Sequence, residues 1–246
     1  MPAVPSLFRE LHSAGRFDYF GTTGPLTAEQ RGERLRARAT EVLWWDVIEW
    51  DRTPSEVAAY EGEGLLRPGL VPFAGNGAGD HYSWYPAWQN GPEPPVLLVE
   101  HDFETSGVFA PDLAGCLVRC LVQHFAWHTF AAGEPDRRTV WDAHTAILRP
   151  HLGAAQATLL DELGADPSAE RCEGAEEALA AGADDRRLVA VMQPTTYDDD
   201  LSLDVATSCY DRSVRFYEEL VAEGRPEYAA QLAEARAGRA GLRPAP

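Results

Sequence analysis

The ten residues Phe73-Ala74-Gly75-Asn76-Gly77-Ala78-Gly79-Asp80-His81-Tyr82 constrain this chain more than any other stretch. An apolar extended run, Leu70, Val71 and Phe73, meets an aromatic one, Tyr82, Trp84 and Tyr85, across a glycine-rich reversal. Asn and Gly tolerate positive φ, so Asn76-Gly77 reads as a hairpin turn, and Gly79 lets the chain re-enter a strand without a side-chain clash. Asp80 stands where a carboxylate accepts hydrogen bonds from turn amides. The segment predicts a strand-turn-strand corner, with Asn76, Gly77, Gly79 and Asp80 as its structural turn.

The flanking sequence extends this corner into a small sheet. Val47 to Trp50, Leu70 to Phe73, His81 to Tyr85, Val96 to Glu100 and Gly107 to Ala110 are short extended runs separated by turn clusters such as Asn90-Gly91-Pro92. A helix is predicted over 26–45, where Thr27 and Gln30 form a capping box and Leu35, Ala39, Val42 and Leu43 share a face. A second runs from about Asp112 to Ala131, and Gly133-Glu134-Pro135-Asp136 breaks the chain. Beyond it helical periodicity covers about 139–149, 154–163, 170–181, 204–223 and 226–239, interrupted by a β-like run at Leu188 to Met192. The expected fold is α+β: a small, mostly antiparallel or mixed sheet flanked by helices over 26–132, and a mostly helical C-terminal extension over 133–246 packed on it.

Charge limits the partners. The chain has 246 residues and a net charge of −18, and its 21 basic residues are all arginine, which fits a GC-rich bacterial genome. Residues 46–115 hold twelve Asp/Glu against two Arg, a balance of −10. Such a field repels nucleic acid and anionic lipid and favours a basic protein partner; the plainer reading is an acidic surface that serves solubility. No signal peptide or membrane span is legible, and the cysteines at 116, 120, 172 and 209 lack a secreted disulfide spacing, so the expected location is cytoplasmic.

Candidate chemistry is sparse. Cys116, Cys120, His124 and His128 recur every four residues along one predicted helix, but four such positions span about 18 Å, too far for one ion. Leu113, Leu117 and Leu121 share the stripe, so packing explains it and no metal is expected. Asp198-Asp199-Asp200 with Asp204 lacks the alternation and the glycine of a calcium loop and reads as a solvated helix start. Asp80, His81, His101 and Asp102 lie on or beside neighbouring strands, where an acid/base pair is conceivable. Without a nucleophile motif or phosphate loop, no catalytic residue and no cofactor are expected. Five of seven tryptophans, Trp44, Trp45, Trp50, Trp84 and Trp88, fall within 45 residues. A small sheet has one well-buried face, so part of this aromatic set is expected outside the core. Trp84, Tyr85 and Trp88, with Asp80, Glu100 and Asp102, are the candidate binding residues.

The order of these motifs resembles a known family. An apolar strand ending in Pro72-Phe73-Ala74, the glycine-rich turn, Gly79-Asp80-His81-Tyr82, the strand Pro95-Val96-Leu97-Leu98-Val99-Glu100, and Val108-Phe109-Ala110-Pro111-Asp112-Leu113 leading into a helix are similar to the SUKH superfamily. That family unites fungal Smi/Knr-type cell-wall assembly regulators and bacterial toxin-immunity proteins. The likeness covers roughly residues 65–131. It implies a non-catalytic binding module, an immunity protein that neutralises a polymorphic toxin by covering it, or a regulatory adaptor without a toxin. A metal-dependent hydrolase centred on Asp80, His81 and His101 is the alternative from another class.

Overall fold

The computed structural model describes residues 5–14, 46–47, 66–75, 80–100, 103, 105–127, 136–190 and 203–242. The helix expected over 26–45 and the turn residues Asn76, Gly77 and Gly79 lie outside the described residues. In chain order the elements are α1 (Ser6–Ser13), β1 (Asp46–Val47), β2 (Val71–Gly75), β3 (His81–Trp84), β4 (Val96–Val99), β5 (Ser106–Ala110), α2 (Leu113–Trp127), α3 (Arg137–Leu148), α4 (Ala154–Gly164), α5 (Ala169–Ala181), β6 (Arg187–Leu188), α6 (Leu203–Ala222) and α7 (Ala229–Gly241). The fold is α+β. The six strands among the described residues form one sheet in sequential order, and every neighbouring pair is antiparallel.

Two irregularities shape this sheet. Between β2 and β3 the register passes from Pro72↔Ser83 to Ala74↔Tyr82, and between β4 and β5 from Val96↔Ala110 to Leu97↔Val108. Each shift inserts one unpaired residue, Phe73 in β2 and Phe109 in β5, and a bulge re-aims the side chain it carries. Both phenylalanines join the same face.

Strand alternation then sorts the sheet into two buried faces. Phe73, Tyr82, Trp84, Val96 and Phe109 lie in one core with Leu7, Phe8 and Leu11 of α1, Leu113, Leu117 and Leu121 of α2, Trp141 of α3, Leu160 of α4 and Cys172 of α5. Tyr85, Leu97, Val99 and Val108 face the other way, against Leu66, Leu70, Leu188 and Ala190. The sequence expectation of a single buried face is therefore corrected. Both are buried: Leu66 and Leu70 ahead of β2 and Ala190 after β6 pack with the strand residues of the second face. No gap in the core coincides with the boundary at 132/133, since α3, α4 and α5 supply the same core as α2.

The C-terminal hairpin of α6 and α7 ends its first helix on Gly224. Its φ of +82° places it in the left-handed region, and Arg225 N donates to Leu220 O at 3.1 Å, the capping arrangement that glycine favours. The two helices approach closely at Gly238, where a Cβ would overlap the Tyr210 ring. Alanine in a helix interior gains about 1 kcal/mol over glycine, whereas overpacking costs about 1–3 kcal/mol. Gly238→Ala is expected to lower stability by about 1 kcal/mol in urea unfolding. A gain would show that the Tyr210 ring swings aside freely.

One core group is polar and unanswered. His144 of α3 is 0% exposed, and neither ring nitrogen has a hydrogen-bond partner among the described residues. Burial disfavours the imidazolium and pushes its pKa down to about 4 from an ordinary 6.5. The native state thus binds fewer protons than the unfolded chain between those values. Stability contributed by the neutral ring is present above pH 6.5 and falls as pH drops towards 4, by roughly 2–3 kcal/mol. Urea midpoints across that range should show the slope, and His144→Leu should flatten it.

Candidate functional site

The β3/β4 register brings two predicted binding residues together. His81 pairs with Val99, so Asp80 and Glu100, one step further along each strand, stand opposite each other at one end of the sheet. Both are half-buried. Burial first, and the negative charge of Asp80 second, hold the Glu100 carboxyl above its ordinary range, while Arg187 pulls it back. Arg187 comes from β6, paired with Gly107. A Cβ at Gly107 would overlap the Arg187 guanidinium, so glycine is what lets this arginine lie across β5. In the connection between β4 and β5, Phe103 is 61% exposed. Asp102 and His101 lie outside the described residues.

The aromatic candidates separate. Trp84 is 3% exposed, stacked on Phe73 at 4.3 Å between centroids and edge-on to Phe8 at 5.1 Å. Tyr85 is 1% exposed. Neither side chain presents itself to a partner, which corrects their reading as binding residues; the covered second face takes up Tyr85 and the helical layer takes up Trp84. Trp88 is half-buried at the margin of the second core, edge-on to Tyr85 at 5.2 Å and with the Arg186 guanidinium 4.7 Å above its ring. Trp44, Trp45 and Trp50 lie outside the described residues.

The two cysteines of the α2 stripe pack in the first core or at its margin. Cys116 is wholly buried in the first core, and burial, then neighbouring Cys120, push its thiol well above the ordinary value. Tyr82 meets the same pair from β3, and its phenol is raised by burial first and then by Cys120 and Cys116. All four cysteines are free thiols. Among the described residues no group of three or more His, Cys, Asp or Glu is placed to hold a metal ion; His128 lies outside them. Asp204 sits exposed in the first turn of α6, a position that complements the helix dipole, while Asp198, Asp199 and Asp200 are outside the described residues.

A polar centre that the sequence did not disclose joins the second face to the C-terminal hairpin. Arg67 is 0% exposed. Its Nη1 donates to Glu219 Oε2 at 2.8 Å and to Val189 O at 3.1 Å, and its Nε donates to the Tyr85 hydroxyl at 3.3 Å. Nη2 lies 2.8 Å from Glu223 Oε1 as an ion pair, off the direction of a hydrogen bond. Tyr85 donates to Glu223 Oε2 at 3.2 Å, and Val189 N to Glu219 Oε2 at 3.0 Å. Burial alone would lower the Arg67 pKa, but Tyr85 and Glu223 outweigh it and hold it above the ordinary value. Arg67 opens a Pro-Gly turn, in which Gly69 has a φ of +92° and Leu70 N donates to Arg67 O at 3.2 Å.

No protein-family model, curated protein or solved structure matches the chain. Among the described residues no helix is long and apolar enough to cross a membrane.

Proposed function

We propose that the protein is a non-catalytic binding module of the immunity type, which neutralises a basic toxin domain by docking it on the acidic end of its sheet. The observation that carries this reading is the Asp80–Glu100 pair. Two carboxylates face each other, burial and then Asp80 hold the Glu100 carboxyl above its ordinary range, and Arg187 pulls it back. An incoming basic side chain relieves that repulsion, and Phe103, 61% exposed beside it, offers an apolar contact. Support also comes from the order of β2, β3, β4, β5 and α2, which follows the motif order of the SUKH resemblance.

Co-expression with a toxin encoded beside this gene tests the proposal. The wild type should protect the host, and Asp80→Asn/Glu100→Gln should fold normally yet protect poorly, because its association rate at low salt drops by roughly tenfold. Full protection by the double variant, or an association rate indifferent to salt, would remove the acidic corner as the docking surface. Stable binding to a partner without protection would favour a regulatory adaptor.

A further inference from the structure

Among the described residues two arginines are buried, and those residues supply hydrogen-bonding partners to only one of them. Arg67 meets two carboxylates, a carbonyl and a phenol. Arg212 of α6 is 6% exposed, and its Nη1 is wholly buried with no hydrogen-bond partner among the described residues. It shares the inward stripe of the helix with Cys209, Ser213, Phe216 and Leu220, all buried.

Guanidinium does not give up its proton at any working pH, so this residue cannot escape burial by turning neutral. A buried charge is tolerated when it is paired and hydrogen-bonded. Asp211, Glu218 and Glu219 of the same helix and Glu223 just beyond it are engaged elsewhere, Asp211 with Arg239 at 2.6 Å, Glu218 with Arg236 at 2.7 Å, Glu219 with Arg67 and Arg215, and Glu223 with Arg67, while Asp204 stands exposed in the first turn. Ser213 donates its hydroxyl to Cys209 O at 3.0 Å and is likewise occupied.

We propose that Arg212 is an anion-binding residue whose ligand is a small free oxyanion, held by the guanidinium at the inner face of α6. The two-pronged fork of guanidinium suits the paired oxygens of a carboxylate or phosphate. The size follows from the burial: with 6% of the residue exposed, the guanidinium offers too little surface for a side chain presented by a folded partner, and an ion of a few atoms is the ligand that matches it. The site is separate from the acidic corner and stands or falls independently of the toxin-binding reading.

The test is thermal unfolding of the full chain in chloride buffer, with acetate or inorganic phosphate then added at low millimolar concentration and matched ionic strength. A ligand that binds only the folded state raises the melting temperature in a saturable way. The wild type should show that rise, and Arg212→Met should not, while Arg236→Gln, which removes an exposed arginine of the same hairpin, should keep it. In chloride alone Arg212→Met should melt no lower than the wild type, because it removes a buried charge whose Nη1 has no partner among the described residues. If Arg212→Met does not fold, the Arg212 Nε resonance of isotope-labelled wild type should shift on adding phosphate and saturate. A melting temperature and a resonance that ignore both oxyanions, or an equal response in Arg212→Met, would overturn the proposal. So would a large loss of stability in Arg212→Met that no anion affects, since that assigns the counter-charge to the chain itself.

Discussion

Trp84→Ala is expected to lower the stability of this protein by about 3–5 kcal/mol, the range for truncating a large aromatic in a packed core. The indole lies at the meeting point of three elements, stacked on the bulged Phe73 of β2 and edge-on to Phe8 of α1. Its removal leaves a cavity that neither ring can fill without moving a strand or a helix. Urea unfolding followed by far-ultraviolet circular dichroism should show a lower midpoint with an unchanged slope. Trp88→Ala, at a half-buried margin where Arg186 covers the ring, should cost no more than about 1–2 kcal/mol. Equal losses for the two variants would mean that the indole of Trp84 is not the core anchor its burial indicates.

That contrast between two tryptophans four residues apart shows what period and composition can and cannot reveal. The strand His81 to Tyr85 was legible because aromatic residues follow a glycine-rich reversal, and the helices after residue 136 because their apolar positions recur at helical spacing; Arg137–Leu148, Ala154–Gly164 and Ala169–Ala181 fall close to the expected spans. These are local signals. Which face of a strand is buried depends on residues far away in sequence, and here Leu188 and Ala190 join Tyr85, Leu97, Val99 and Val108 in one cluster. Alternation turns Trp84 and Tyr85 to opposite faces of the sheet. It could not tell that both directions lead into a core.

The short helix Ser6–Ser13 was not anticipated either. Eight residues carry too few turns to announce themselves, and Leu7, Phe8 and Leu11 acquire meaning from the surface formed by Phe73, Trp84 and α2. The Asp80–Glu100 corner was half legible. Both residues were singled out for charge and for their place beside strands, but their confrontation rests on the register His81↔Val99, and Arg187 reaches them from a strand more than eighty residues away. Nothing local in Arg67 distinguishes it from a surface arginine, because its carboxylate partners lie 152 and 156 positions downstream, at Glu219 and Glu223.

Arg67 should be the most sensitive polar position in the molecule, and Arg67→Met should cost about 3–5 kcal/mol even though methionine fills much of the same volume. Two opposing effects decide the size. Removing a buried cation ends its desolvation cost, which favours the variant. It also strands Glu219 and Glu223 beside Tyr85, takes the acceptor role from Val189 O and leaves two neighbouring carboxylates without their shared counter-charge. The side chains of Glu219 and Glu223 keep 25% and 35% exposure, so water relieves part of that second effect and the lower end of the range is the better guide. Arg67→Lys should recover little, since a single ammonium cannot meet a carbonyl, a phenol and two carboxylates in the directions that the planar guanidinium does. The damage should also be local. Arg67 joins the Pro-Gly turn to α6, so amide exchange should quicken in Leu203–Ala222 and in the strand Arg187–Leu188 while α2, packed on the opposite face, keeps its protection. A uniform rise in exchange across both layers would instead show that the hairpin and the sheet unfold only together.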